Sequence, residues 1–266
     1  MYITMQKPFR ILRNLVITLA LLAMAIAPLR ADDLMADAPK ATKTTQLHYL
    51  PANRPDAIAL LAPPPLAGSP EQAADLAETV AVHAQQTTAA QAAAAAEKKL
   101  TVFSFTPAVG NFFQPGKLPV TEEFLKNVRE DTEIVEGGAK DFYKRPRPYT
   151  VDPSLGRGAD DLEKSFSYPS GHSTRGTVWA LVMAEMFPDK KDAILAVGRD
   201  IGWHRVEMAR HYPSDIFAGR VLAQAIVREL KASPKFQSDL AKAQQEISAV
   251  LAGVPAATTT ATASAH

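Results

Sequence analysis

Apolar residues at helical spacing, in segments that end near prolines, most strongly limit what this chain can fold into. Val178, Leu181, Val182 and Met186 are an example, because positions i, i+3, i+4 and i+8 fall on one face of a helix. Few segments alternate between apolar and polar residues as strands do, so the sequence predicts an all-α fold with one main domain. Prolines occupy the joints between the predicted helices, where a missing N–H is tolerated: Pro148, Pro169, Pro188, Pro213 and Pro234.

The predicted helical domain extends from about residue 48 to residue 252. An Ala-rich stretch from Glu71 to Lys99 contains no Gly or Pro, which favours a helix there. Ahead of it, the prolines from Pro51 to Pro70 predict an extended arm that lies on the core. Five further helices are predicted over residues 120–143, 172–187, 189–210, 213–231 and 234–252.

The N-terminus has the pattern of a secretory signal peptide. Three basic residues precede an apolar run from Leu15 to Ala27, and small residues follow up to Ala31. The run is shorter than the roughly 20 residues of a membrane helix, although an uncleaved N-terminal anchor is the alternative. We expect residues 1–31 to be removed, residues 32–47 to form a flexible leader and residues 253–266 a disordered tail. The mature protein would then be periplasmic, with no stable membrane span.

Charge and cysteine content exclude several function classes. The chain has 29 Lys and Arg residues against 28 Asp and Glu residues, so it lacks the basic excess that drives binding to nucleic acids. It contains no Cys, which excludes disulfides, thiolate nucleophiles and zinc ribbons. Any chemistry must therefore come from His, Ser, Asp, Glu, Lys or Arg side chains.

Lys140 and Arg147 mark the first of three polar clusters. They are separated by about two helical turns, so both cations are predicted to project from one face of a helix before Pro148 disturbs it. Taken alone, a basic run of this kind is more often a solvated helix face.

The second cluster is Ser170, Gly171 and His172, followed by an apolar helix. Ser170 occupies the predicted N-cap position, and Gly171 allows the backbone to approach a ligand closely. The N–H groups of the first turn would then face an anion, with the helix dipole adding to the attraction. An ordinary capped helix with a surface histidine is an equally good interpretation of this cluster alone.

The third cluster contains Arg205, His211 and Asp215. Asp215 follows His211 by four residues, close enough for its carboxylate to accept the proton of one imidazole nitrogen and leave the other as a nucleophile. A structural His–Asp hydrogen bond is the alternative. His204, just before Arg205, could support the site from behind its lining residues, but we favour a packed or solvated histidine.

Together the clusters supply what phosphoryl transfer requires. Two histidines can act as nucleophile and proton donor, and a Ser-Gly turn with three cations can hold phosphate oxygens. Arg147 and Arg205 suit bidentate recognition of phosphate, whereas Lys140 provides a compact charge.

The spacing and order of the three clusters resemble the signature of the type 2 phosphatidic acid phosphatase superfamily, and most closely that of the bacterial class A non-specific acid phosphatases. The similarity covers residues 48 to about 245. The resemblance implies a single all-α domain of the phosphatase and haloperoxidase-like architecture. One departure is His204, where relatives usually have Ser, and this leaves open the hydrogen bonding around Arg205.

The resemblance also implies a role for each residue. His211 would attack phosphorus and form a phosphohistidine, with Asp215 orienting its ring, and His172 would protonate the leaving alkoxide and later activate water. Small phosphomonoesters would be the substrates, with no metal or other cofactor, and the protein would form a homodimer or larger homo-oligomer. The phosphate-binding groups would be Lys140, Arg147, Ser170, Gly171 and Arg205.

Two alternatives stay open at this stage. A vanadium-dependent haloperoxidase resembles the same three clusters, because vanadate mimics the transition state of phosphoryl transfer. A non-catalytic phosphate- or vanadate-binding protein could use the same charge pattern, but mere capture would not need two histidines and Asp215 at this spacing.

Overall fold

A computed structural model describes residues 46–156 and 165–253 of the chain. Within these ranges all regular structure is helical, which confirms the all-α prediction. The predicted signal peptide, most of the leader and the tail after Gly253 lie outside the described residues. The helices are α1 (Ala57–Leu60), α2 (Pro70–Ala84), α3 (Thr88–Ala96), α4 (Thr106–Val109), α5 (Pro119–Tyr143), α6 (Pro148–Val151), α7 (Gly171–Met186), α8 (Lys191–Glu207), α9 (Pro213–Ala232) and α10 (Pro234–Leu251).

Local capping corrects two of the predictions. The Ala-rich stretch is not one helix, because Thr87 caps a new helix with its side chain and so separates α2 from α3. A 3₁₀ turn, Glu97–Lys99, then follows α3. The proline-rich arm is not wholly extended, because Asp56 accepts two backbone N–H bonds and nucleates the short helix α1. The five later helices agree with their predicted ranges, except that α8 ends at Glu207.

The centre of the domain is α7, which packs against α5, α8 and α9. Its apolar side chains are buried on most sides of the helix, as in the case of Val178, Trp179, Val182 and Met183. A helix with such a burial pattern belongs in the interior of a domain. Because α7 begins at the Ser-Gly-His cluster, its burial places that cluster at the end of the core.

Glycines allow the three central helices to approach closely. A Cβ atom at Gly198 of α8 would lie 2.6 Å from the Cβ of Ala180 on α7. A Cβ at Gly219 of α9 would lie 2.8 Å from the carbonyl oxygen of Ser170. The second contact is with backbone, which cannot rotate away, so it sets the distance between α9 and the start of α7.

We therefore predict that Gly219→Ala lowers the free energy of unfolding by about 1–3 kcal/mol, because the added methyl group overpacks this contact. Gly138→Ala is the matched control, since Gly138 lies inside α5 and its added Cβ meets no atom within 4 Å. The control should gain about 0.5–1 kcal/mol from helix propensity. Urea unfolding of both variants tests this, and equal effects would contradict it.

Candidate active site

The end of α8 places His211 through a Schellman motif. The N–H of Arg210 donates to the carbonyl of Arg205 at 2.9 Å, and the N–H of Ala209 donates to that of Val206 at 2.8 Å. Ala209 takes the left-handed position with φ of 52°, where a glycine is usual. This reversal turns the chain toward α9 and leaves His211 buried, with 1% of its surface exposed.

Asp215 orients the His211 ring. Asp215 lies in the first turn of α9, and its Oδ2 is 3.2 Å from His211 Nδ1. The same oxygen accepts a hydrogen bond from the N–H of Tyr212, the N-cap residue, at 3.0 Å. Because a carboxylate accepts hydrogen bonds, the proton of a neutral His211 belongs on Nδ1, which leaves the lone pair on Nε2. The predicted His–Asp pair is therefore present, and the nitrogen available for attack is Nε2.

Two residues that hold Asp215 were not singled out from the sequence. The Nη1 of Arg145 lies 2.6 Å from Asp215 Oδ1, and its Nη2 lies 2.6 Å from Asp75 Oδ2 on α2. The Ser167 hydroxyl donates to Asp215 Oδ2 at 2.5 Å. Burial raises the pKa of Asp215, and Arg145, Ser167 and the Tyr212 amide oppose that rise. The signal for Arg145 was its place two residues before Arg147 in a non-helical segment, where alternate side chains share a side.

Lys140, Arg147 and Arg205, which we call the cationic cage, all act on His211, and the two arginines also act on His172. The prediction that Lys140 and Arg147 project from one helix face is wrong, because α5 ends at Tyr143 and Lys144 has a left-handed φ of 48°. Arg147 therefore does not share a helix face with Lys140, and it reaches the site from the segment after α5. Both remain buried, at 7% and 4% exposure.

Backbone carbonyls aim two cations of the cage. Lys140 Nζ donates to the carbonyl of Pro169 at 2.6 Å. Arg147 donates from Nη1 to the carbonyl of Arg210 at 2.9 Å, and the same nitrogen lies 3.2 Å from His211 Nε2. The cage thus has a cation directly beside the nitrogen that carries the lone pair.

The start of α7 forms the third wall. Ser170 is the N-cap, as predicted, and its hydroxyl accepts the N–H of Ser173 at 3.4 Å. Helix geometry leaves the first N–H groups without intrahelical acceptors, so the Gly171 amide is available to an anion. Glu136 of α5 packs directly on this glycine, because a Cβ there would lie 2.5 Å from Glu136 Oε1.

His172 is the second residue of α7. Its Nε2 is 3.1 Å from the carbonyl oxygen of Glu97, in the 3₁₀ turn after α3. A carbonyl only accepts, so Nε2 carries the proton of the neutral ring and Nδ1 is left as the acceptor.

Electrostatics favour the neutral form of both histidines in the absence of an anion. Burial lowers the pKa of His211 well below its usual value, and the charges of the cationic cage lower it further. Burial also lowers the pKa of His172, with Arg205 and Arg175 adding to the effect. Because Arg147 and Arg205 act on both rings, the two imidazoles lie in one field of positive charge.

The structure gives His204, in the third cluster, a specific partner. His204 is partly buried, and its Nδ1 lies 2.9 Å from Glu97 Oε2. This hydrogen bond raises the pKa of His204. The partner comes from a segment about 100 residues earlier in the chain, so no local signal in the sequence pointed to it.

All eight residues singled out from the sequence lie around one site. The nucleophile candidate and its carboxylate partner come from the joint of α8 and α9, the cage from three separate segments, and the remaining groups from the start of α7. The geometry suits transfer of a group with several anionic oxygens to His211 Nε2. The roles of the individual residues remain predictions. Within residues 46–156 and 165–253, no cluster of three or more His, Asp or Glu side chains could hold a metal ion.

Comparison with known proteins identifies the family. The sequence model of the PAP2 superfamily matches residues 132–237 of this chain. A non-specific acid phosphatase of Providencia stuartii is 34% identical over 214 residues, which cover 77% of this chain and 86% of that protein. This chain belongs to the PAP2 superfamily. The resemblance to the acid phosphatases of that superfamily is thereby confirmed.

Two more relatives of this PAP2 chain have similar names. A non-specific acid phosphatase of Salmonella typhimurium is 36% identical over 152 residues, covering 54% of this chain and 59% of that protein. An acid phosphatase of Zymomonas mobilis is 31% identical over 199 residues, covering 72% and 75%. In the part of the PAP2 chain that the structure describes, no helix is both long and apolar enough to cross a bilayer.

Arg145 provides a test of how the PAP2 site is held together. We predict that Arg145→Met lowers the free energy of unfolding by about 3–5 kcal/mol, because Asp215 and Asp75 lose the cation that neutralises them in the interior. Arg129→Met is the control, since Arg129 pairs with two glutamates at 3.8 and 3.9 Å and has 36% of its side chain exposed. The control should change by less than about 1 kcal/mol. Urea unfolding measures both, and a similar loss in the two variants would refute the assignment.

Proposed function

We propose that this PAP2 acid phosphatase hydrolyses a broad range of organic phosphomonoesters through a phosphohistidine on His211. The observation that carries the proposal is the environment of His211, whose Nε2 lies 3.2 Å from Arg147 of the cage while its Nδ1 lies 3.2 Å from Asp215. An imidazole fixed in this way is a nucleophile that needs no deprotonation before it attacks. The breadth of substrates is supported by relatives that are named non-specific acid phosphatases.

In the first step, Nε2 of His211 forms a bond to phosphorus while the bond from phosphorus to the ester oxygen breaks. The leaving alkoxide takes a proton from His172, which begins this step as an imidazolium. Entry of a phosphate dianion supplies the negative charge that raises the pKa of His172 from its low value in the empty site. The substrate therefore generates the acid that its own leaving group requires.

In the second step, water attacks the phosphohistidine. His172 is now neutral and accepts a proton from the water while the bond between phosphorus and Nε2 breaks. Inorganic phosphate leaves, and His211 returns to the neutral form. An alcohol in place of water would receive the phosphoryl group by the same route, which makes transferase activity part of the proposal.

The equatorial oxygens would be held by the cationic cage, the Ser170 hydroxyl and the Gly171 amide. These groups are placed before the substrate arrives, because backbone carbonyls already aim Lys140 and Arg147. The cage supplies the charge stabilisation that a metal provides in many phosphatases. We therefore propose that the reaction needs no metal.

Rapid-quench labelling with a ³²P-labelled monoester tests this scheme. His211→Ala should show no labelled protein and no turnover, because the acceptor nitrogen is missing. His172→Ala should lower kcat/KM for alkyl phosphates by about 10²–10⁴-fold and for p-nitrophenyl phosphate much less, since nitrophenolate leaves without a proton. EDTA should change neither labelling nor turnover. Labelling of His211→Ala, or loss of activity with EDTA, would contradict the scheme.

We further propose that the protein is exported to the periplasm and assembles as a homodimer or larger homo-oligomer. The basic residues and apolar run at the N-terminus support export, and the resemblance to class A acid phosphatases supports assembly. Cell fractionation followed by mass spectrometry should find the protein in the periplasmic fraction as a chain that starts at Asp32, and a cytoplasmic chain that retains Met1 would overturn export. Analytical ultracentrifugation should give a dimer or a larger oligomer, and a monomer would overturn assembly.

A further inference from the structure

His204 is a partly buried histidine beside the proposed phosphate site. It lies in the last turn of α8, next to Arg205 of the cationic cage. Its Nδ1 is 2.9 Å from Glu97 Oε2, and the two side chains are only 17% and 12% exposed. His204 and Glu97 therefore form a largely buried hydrogen-bonded pair next to the candidate active site, which becomes an ion pair when His204 is protonated.

Glu97 contacts both histidines on this side of the site. Its carboxylate binds His204, and its main-chain carbonyl oxygen lies 3.1 Å from Nε2 of His172. Glu97 begins the 3₁₀ turn after α3, and α3 packs against α8. One residue thus links the proposed proton donor to the helix that carries His204.

We infer that Glu97 is a positioning residue for His172, and that its ion pair with His204 keeps it in place. This inference rests on the proposed function, in which His172 donates the proton to the leaving group. The Glu97 carbonyl holds the proton of the neutral ring on Nε2 and so directs Nδ1 into the site. A shift of this carbonyl would rotate the imidazole away from the leaving oxygen, and proton transfer depends steeply on such alignment.

The ion pair also makes the positioning depend on pH. The hydrogen bond to Glu97 raises the pKa of His204, and the charges of Glu97, Glu207 and Asp200 add to this effect, whereas burial opposes it. From α2, the ring of His83 contacts the carbonyl of Glu207 at 2.5 Å. His204 is charged below its raised pKa, so the pair is strongest in acid and weakens as the pH rises through that value.

The decisive variant is Glu97→Ala, which removes the carboxylate and leaves the carbonyl. Its kcat/KM for glycerol 2-phosphate should fall about 10-fold more than its kcat/KM for p-nitrophenyl phosphate, because only the first substrate needs the proton. His204→Gln should show the same selective loss. The double variant should lose no more than either single variant, since each breaks the same pair. An additive loss would overturn the coupling.

His48→Gln is a matched control. His48 Nε2 lies 2.9 Å from Glu130 Oε2, so this variant also breaks a partly buried His–Glu pair of the same length, but in the N-terminal arm. The control should leave the ratio of the two kcat/KM values unchanged. Thermal unfolding of every variant reports on folding, and Glu97→Gln, which keeps the side-chain volume, replaces Glu97→Ala if the latter does not fold.

The pH profile provides a readout that a purely structural role would not change. The ratio of wild-type to His204→Gln kcat/KM for glycerol 2-phosphate should be largest in acid and approach one as His204 loses its proton. Dividing the two profiles cancels the titration of the substrate. A ratio that is independent of pH would refute the inference.

His172→Ala separates failure of the inference from failure of the proposed function. If His172→Ala lowers kcat/KM for both substrates equally, the proposed role of His172 is wrong. If His172→Ala is selective for the alkyl phosphate and Glu97→Ala is not, the proposed function stands and the positioning role of Glu97 is wrong.

Discussion

The architecture of the site depends on the burial of one carboxylate. Asp215 is fully inaccessible to solvent and receives hydrogen bonds from Arg145, Ser167 and the Tyr212 amide. These donors come from the segment after α5, the segment before α7 and the start of α9, so one side chain ties three parts of the chain together. A buried carboxylate without such partners would be strongly destabilising. The requirement to satisfy Asp215 therefore fixes the joint at which His211 meets the cage.

The two histidines need different protonation states in the proposed mechanism, although both have a lowered pKa before the substrate binds. Burial, together with the positive charges around them, lowers the pKa of both histidines and so favours their neutral forms. A neutral His211 suits attack, but the proposed donor must be charged. In the proposed mechanism the incoming phosphate would raise the pKa of both rings. His211 Nε2 would then face phosphorus while Nδ1 faces Asp215, so His172 would be the ring that takes up a proton. The two roles thus follow from hydrogen-bond partners and need no difference in net charge around the rings.

The sequence was sufficient where the signal was local. Ser170 as a cap, Pro213 as a helix start and the spacing of His211 and Asp215 are properties of a few consecutive residues. It failed where tertiary contacts decide. Helix α5 ends at the predicted residue, but the sequence did not predict that the left-handed Lys144 takes Arg147 off the helix face of Lys140. The partners of Arg145 come from α2 and α9. The pair of His204 with Glu97 joins segments more than 100 residues apart, which no periodicity encodes.

The two sides of the site are built with different tolerance to change. The side of the proposed nucleophile is closed, because Asp215 and His211 are almost completely buried. The side of the proposed proton donor ends in Glu97, from the short turn after α3, and His204, from the last turn of α8, and both side chains keep some contact with solvent. On the buried side, loss of a partner of Asp215 would disturb the fold. On the side of Glu97 and His204, a substitution would change the contacts of the partly exposed pair and leave the partners of Asp215 in place.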